Sequence, residues 1–134
     1  MKPFLYSIAI ASLLLIASAC SGPRELIYRG PQDPTRDYYI IRVDSLEMVG
    51  SGPTTRITAL GIIGPNGCHQ LAFVDTMQSG FQMHFTFWGS KPKDQTTMCT
   101  QAIVPLRHEL VFPRHGVNTV VINQPDGSQL RRAF

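Results

Sequence analysis

From Asp37 to the C-terminus, apolar residues recur at every second position in short runs, and turn residues close each run. This period is expected of strands that bury one face. In Tyr38–Asp44, Tyr39, Ile41 and Val43 share one face, Arg42 and Asp44 take the other, and Gly50-Ser51-Gly52-Pro53 ends the run. Arg56–Ile63 gathers Ile57, Ala59, Gly61 and Ile63, and is followed by Gly64-Pro65-Asn66-Gly67. That turn is strong because proline pre-sets one position and glycine supplies positive φ. Cys68–Met77 sets Leu71 and Phe73 opposite Ala72 and Val74, and Ser79-Gly80 punctuates it. The clearest alternation comes next, with Phe81, Met83, Phe85 and Phe87 facing a core and Gln82, His84, Thr86 and Trp88 on the other side. Gly89–Thr97 is polar and predicts a surface loop. Pro105 makes Cys99–Leu106 an edge or a bend, since proline cannot donate to a ladder. Glu109–Phe112, Val117–Asn123 and Ser128–Phe134 complete the set, the last two flanking a hairpin signal, Gln124-Pro125-Asp126-Gly127. About seven or eight short strands with regular turn signals and no helical periodicity predict an all-β fold, an Ig-like antiparallel β-sandwich. A small barrel is the alternative.

The first residues follow a different pattern. Met1-Lys2 precedes an uncharged apolar run, Phe4–Ile16, and then Ala17-Ser18-Ala19-Cys20. The run falls short of the roughly 20 residues that span a bilayer and matches the apolar region of a secretory signal. It resembles a bacterial lipoprotein signal, with Ala17 where Leu is usual and Ile16 one place earlier. The resemblance implies cleavage before Cys20 and fatty acylation of its sulfur, which anchors the chain to a membrane. Ordinary cleavage after Ala19 would instead leave an exposed thiol in an oxidising space, a chemical liability. Ser21 in place of Asp implies, by the same resemblance, sorting to an outer membrane, facing the periplasm or the surface. The expected organisation is a signal over 1–19, a flexible tether over 20–36 and one β domain over 37–134. The tether holds Pro23, Gly30, Pro31 and Pro34, with Leu26-Ile27-Tyr28 its one apolar stretch.

With Cys20 assigned to lipid, Cys68 and Cys99 remain, and an even pair in an oxidising compartment reads as a disulfide. The loop it closes is worth about 3.5 kcal/mol in the chain-entropy model. A two-thiolate metal site is the alternative, but no CxxC spacing accompanies it. Gly67-Cys68, then Cys99-Thr100 with Pro105, then Gly116 before a Val-rich strand resembles small bacterial lipoproteins carrying a G-C…C-T-x-x-x-x-P pattern. The likeness covers Gly67 to Asn123 and implies fold and location, with no activity attached.

Charge narrows the partners. The signal takes Lys2 from the 12 basic residues, leaving 11 against 9 acidic ones. The basic residues are scattered, and Arg131-Arg132 alone is not a nucleic-acid footprint. No GxSxG elbow, phosphate loop, cofactor fingerprint or HExxH spacing occurs, so no catalytic residues, metal ligands or cofactor are expected. Copper held by Met77, Met83 and Met98 with His69 or His84 is a minor alternative, chosen because thioethers suit soft ions. The candidate binding surface is Gln82, His84, Thr86 and Trp88, unless a neighbouring strand or the tether covers it. The expected function is a non-enzymatic, membrane-anchored module that meets another envelope protein or polymer. A periplasmic inhibitor presenting Gly89–Thr97, with Lys91 and Lys93, is the alternative.

Overall fold

The structure is a computed structural model that describes residues 26–49 and 52–134. The signal expected over 1–19 and the expected acylation site, Cys20, lie outside the described residues. Eight strands run β1 Arg36–Ile40, β2 Val43–Val49, β3 Thr54–Gly64, β4 Gln70–Ser79, β5 Gln82–Pro92, β6 Val104–Pro113, β7 Thr119–Asn123 and β8 Gln129–Ala133. No helix occurs among the described residues. The strands form a five-stranded sheet (β1, β4, β5, β7, β8) and a three-stranded sheet (β2-β3-β6). The sheets pack face to face without closing, so the fold is a sandwich and not the barrel.

Strand β5 is the axis of the larger sheet. It pairs with β4 over Gln82–Ser90 on one side. Its other side is shared end to end: β1 takes Trp88–Pro92 and β7 takes Gln82–Phe85. The β5–β7 ladder is parallel, a departure from the all-antiparallel expectation. The core lies between the sheets. Met83, Phe85 and Phe87 of β5 meet Ile57 and Ala59 of β3 and Leu106, Leu110 and Phe112 of β6. Phe87, Ile57 and Ala59 are fully inaccessible to solvent.

Four local expectations change in the structure. The run Tyr38–Asp44 bends at Ile41-Arg42 and serves both sheets, as β1 and β2. Tyr39, Ile41 and Val43 keep facing the core throughout, so the alternation carries no mark of the crossing. At the crossing, the Gln124 side chain accepts from the Val43 N–H at 3.0 Å and donates to the Val43 carbonyl at 2.7 Å. This buried amide satisfies main-chain groups where the ladder is irregular. Gly61 packs there too, since a Cβ would lie 2.5 Å from the Arg42 carbonyl oxygen. Second, a bulge between Leu71 and Phe73 turns Phe73 outward and leaves Leu71 and Val74 against the core. Third, Phe81 does not join the core. It occupies the tip of the two-residue β4–β5 hairpin beside Gly80 (φ 59°) and is 67% exposed, because a tight turn directs its second residue away from the pleat. Fourth, β5 continues to Pro92, so the surface loop covers 93–103 rather than Gly89–Thr97. Pro105 sits in β6, an edge strand, as proline in a strand requires.

Candidate functional site

Alternation along β5 places Gln82, His84, Thr86 and Trp88 together on the outer face of the larger sheet, opposite Met83, Phe85 and Phe87. Cross-strand neighbours extend the face. Trp88 lies opposite Phe73 of β4 and Ile40 of β1, Thr86 opposite Asp75, and His84 opposite Met77 and Val121. Gln82 and His84 are half-buried. Thr86 and Trp88 are only 4% and 6% exposed, so the face is covered over those two residues, the alternative that the sequence left open.

The cover comes from residues 26–33, a strap in the segment that composition assigns to the tether. The Tyr28 ring stands edge-on to Trp88 at 5.3 Å and to Phe73 at 6.1 Å, and stacks on Tyr38 at 4.1 Å. Such pairings add about 0.5–1.5 kcal/mol each beyond area burial. The Tyr28 hydroxyl donates to the Pro31 carbonyl at 2.7 Å, the Tyr38 hydroxyl donates to the same oxygen at 3.2 Å, and the Asp33 N–H donates to the Tyr38 hydroxyl at 2.6 Å. Burial first, then the neighbouring Tyr38, holds the Tyr28 phenol above its ordinary range. Asp33 closes the strap as a turn: its carboxylate accepts from the Thr35 hydroxyl and N–H at 2.6 and 2.8 Å, which holds its carboxyl below the usual range.

Beneath the strap, the Arg36 guanidinium links the face to the disulfide end. It donates to the Ser90 hydroxyl at 2.9 Å, the Ser90 carbonyl at 3.1 Å and the Cys68 carbonyl at 2.9 Å. Beside Thr86 the face opens into two adjoining hollows of about 360 and 200 Å³, which share Leu26, Met77, His84 and Asn123. The Asn123 amide donates to the Thr86 hydroxyl at 2.9 Å and accepts from Gln129 at 3.2 Å.

At one end of the sandwich, Cys68 and Cys99 form the disulfide, with Cα atoms 5.3 Å apart. The Gly67 N–H donates to the Thr100 carbonyl at 2.9 Å beside it. A polar cleft of about 510 Å³ adjoins this link, with His69, Lys91, Lys93 and Asp94 in its wall. The His69 Nδ1 lies 2.9 Å from the Asn66 side-chain oxygen, and Tyr39 packs edge-on to the imidazole at 5.8 Å. Burial pushes the Tyr39 phenol up to about 12, and its hydroxyl donates to the Ile63 carbonyl at 2.6 Å.

The copper set is not brought together. Met77 and His84 are neighbours in register, but Met83 is a core residue, Met98 is 95% exposed and His69 lines the disulfide cleft. Among the described residues, no group of three or more His, Cys, Asp or Glu side chains could hold a metal ion. His108 packs edge-on to Phe87 at 5.7 Å.

Sequence reasoning located the β5 face but missed Tyr28, Tyr38 and Phe73. The one signal for Tyr28 was the apolar triplet Leu26-Ile27-Tyr28 inside a proline- and glycine-rich stretch. Phe73 was hidden by the bulge, which no local residue pattern announces. Compared with family models, with curated proteins and with solved structures, the chain matches none.

Proposed function

We propose that this chain is an exported bacterial lipoprotein, anchored through Cys20, whose β-sandwich is a non-enzymatic module that binds another component of the cell envelope. The observation that carries the reading is the Cys68–Cys99 disulfide, a bond that persists in oxidising compartments. It agrees with the export signal and leaves Cys20 as the one cysteine outside the pair. Two or three acyl chains at Cys20 hold a protein firmly at a bilayer, each buried methylene adding about 0.8 kcal/mol. Ser21 after the cysteine, in place of Asp, suits outer-membrane sorting. The part of the sandwich best suited to binding is the outer face of the larger sheet, where ring faces and polar groups adjoin.

Intact mass spectrometry of the protein isolated from bacterial membranes tests the anchor. The expected species begins at Cys20 and carries the added mass of a diacylglyceryl group. A chain that starts at Met1, or one that starts at Cys20 without fatty acid, rejects the reading. Crosslinking in intact envelopes tests the binding role, with one reproducible adduct expected and none after Cys20→Ala.

A further inference from the structure

The Trp88 indole N–H is buried and has no hydrogen-bond partner among the described residues. An orphaned buried donor costs about 1–3 kcal/mol, so the strap is an imperfect occupant of the face it covers. Its hold is also narrow. Among the described residues, no main-chain hydrogen bond joins residues 26–32 to the sheet. The contact rests on the Tyr28 ring, on Gly30 seated against Phe73, and on phenol hydrogen bonds. Displacing the Tyr28 ring therefore uncovers the Trp88 and Tyr38 side chains together, and lifting Gly30 uncovers Phe73.

The sheet itself selects the class of ligand. Trp88 pairs with Ile40 on one side and Phe73 on the other, so its main-chain groups are used within the sheet. An added peptide strand needs a free edge, and this position offers none. A ligand here must be held by ring faces and side-chain polar atoms. Pyranose rings fit that requirement, because their C–H faces are apolar while their rims carry hydroxyls. Charge favours a neutral molecule: the Arg36 guanidinium is already engaged with Ser90 and Cys68, the Asp33 carboxylate lies in the strap turn, and Arg29 and Asp75, of opposite sign, line the same adjoining hollow. The unpaired indole N–H calls for a strong acceptor, which an acetamido carbonyl supplies.

We propose that the Trp88 face is a binding site for a neutral glycan bearing acetamido groups, and that residues 26–33 close it until the glycan displaces Tyr28. This deepens the function proposed above and rests on it only for the compartment and the binding role. The strap makes apparent affinity depend on the open fraction, so loosening it tightens binding by the inverse of that fraction.

Trp88 is the chain's one tryptophan, so its emission reports the site directly. The experiment uses the mature lipidated protein in detergent, titrated with tetra-N-acetylchitotetraose and with cellotetraose. Two variants open the strap by different routes. Tyr28→Ala removes the covering ring, and Gly30→Ala lifts the segment, since a Cβ there would lie 2.7 Å from Phe73 and 2.5 Å from the Tyr28 hydroxyl. Both are expected to red-shift Trp88 emission and to bind the acetamido sugar at least about tenfold tighter than the parent chain. Cellotetraose is expected to bind more weakly, and Trp88→Phe to lose binding by calorimetry. Equal affinity in parent and variants overturns the strap, and equal affinity for the two sugars overturns the acetamido assignment. Absence of saturable binding to all chains overturns the glycan site, as does binding of a synthetic 26–33 peptide without sugar binding. Because lipidation is read separately by mass, a failure here leaves the anchor reading to stand or fall by its own test.

Discussion

The two sheets treat their outer faces in opposite ways. On the three-stranded sheet the face is open to solvent: Arg56 meets Glu109 at 3.4 Å and Arg107 meets Glu47 at 3.9 Å, each of these four side chains at least half exposed, and Ile62 and Val111 stand uncovered among them. On the five-stranded sheet the face carries Trp88, Phe73 and Tyr38 and needs a cover from its own chain. Exposed ion pairs are worth little, about 0.2–1 kcal/mol, so the first face gains solubility more than stability. The second face spends ordered residues on shielding aromatic area that a purely structural sheet could have made polar. Large rings kept on an outward face under a thin cover are a reason to look for a ligand there.

Mutations that empty the covered face give the largest effect. Trp88→Ala is expected to cost about 3 kcal/mol, within the range for truncating a buried aromatic, and urea unfolding measures it. Tyr28→Ala is expected to cost less, about 1–2 kcal/mol, because it removes ring contacts and leaves the sheet intact. The same chemical denaturation ranks the two, and a Tyr28→Ala cost equal to that of Trp88→Ala would mean that strap and sheet form one cooperative unit. On the opposite sheet, Glu109→Gln is expected to change stability by no more than about 0.5 kcal/mol, an effect that fades in high salt. A larger, salt-independent loss there would erase the contrast between the faces.

The smallest effect is a pH dependence of the strap. The Asp33 carboxyl is held low by its bonds to Thr35, so its contribution is present above the ordinary carboxylate range and is lost as pH falls through the folded value. Tyr28 works in the other direction. Its phenol is raised from 10.0, so its contribution is complete below that pH and is lost as pH rises toward the folded value. Trp88 emission is therefore expected to be flat at neutral pH and to shift red in both acid and alkali. The acid shift should vanish in Asp33→Asn, and the alkaline shift in Tyr28→Phe.

Much of the sandwich could be read from alternation, because a buried face and a solvated face must alternate on a pleat. Met83, Phe85 and Phe87 reach the core as that rule requires, and the Cys68–Cys99 pair forms as cysteine arithmetic suggests. Features that no local residue pattern announces stayed hidden. The bend at Ile41-Arg42 moves the chain between sheets without turning an inward residue outward. The bulge at Ala72 shifts the period by one residue and so reverses Phe73. The parallel β5–β7 ladder depends on partners 37 positions apart, Gln82 and Thr119, which no local signal specifies. The candidate face was half legible: β5 declared its outer residues, but its cover came from a segment whose composition suggested a linker.

The route of the chain through the bend at Ile41-Arg42 also has a mechanical meaning. Traction applied to the N-terminal side of Leu26 runs first into the strap, which is held by side-chain contacts and phenol hydrogen bonds, and then into the five residue pairs of β1 with β5. Only beyond the bend does it reach β2 and the second layer. The molecule is thus arranged in series, weakest link outermost, so a modest pull can uncover the indole while the sandwich behind it stays whole.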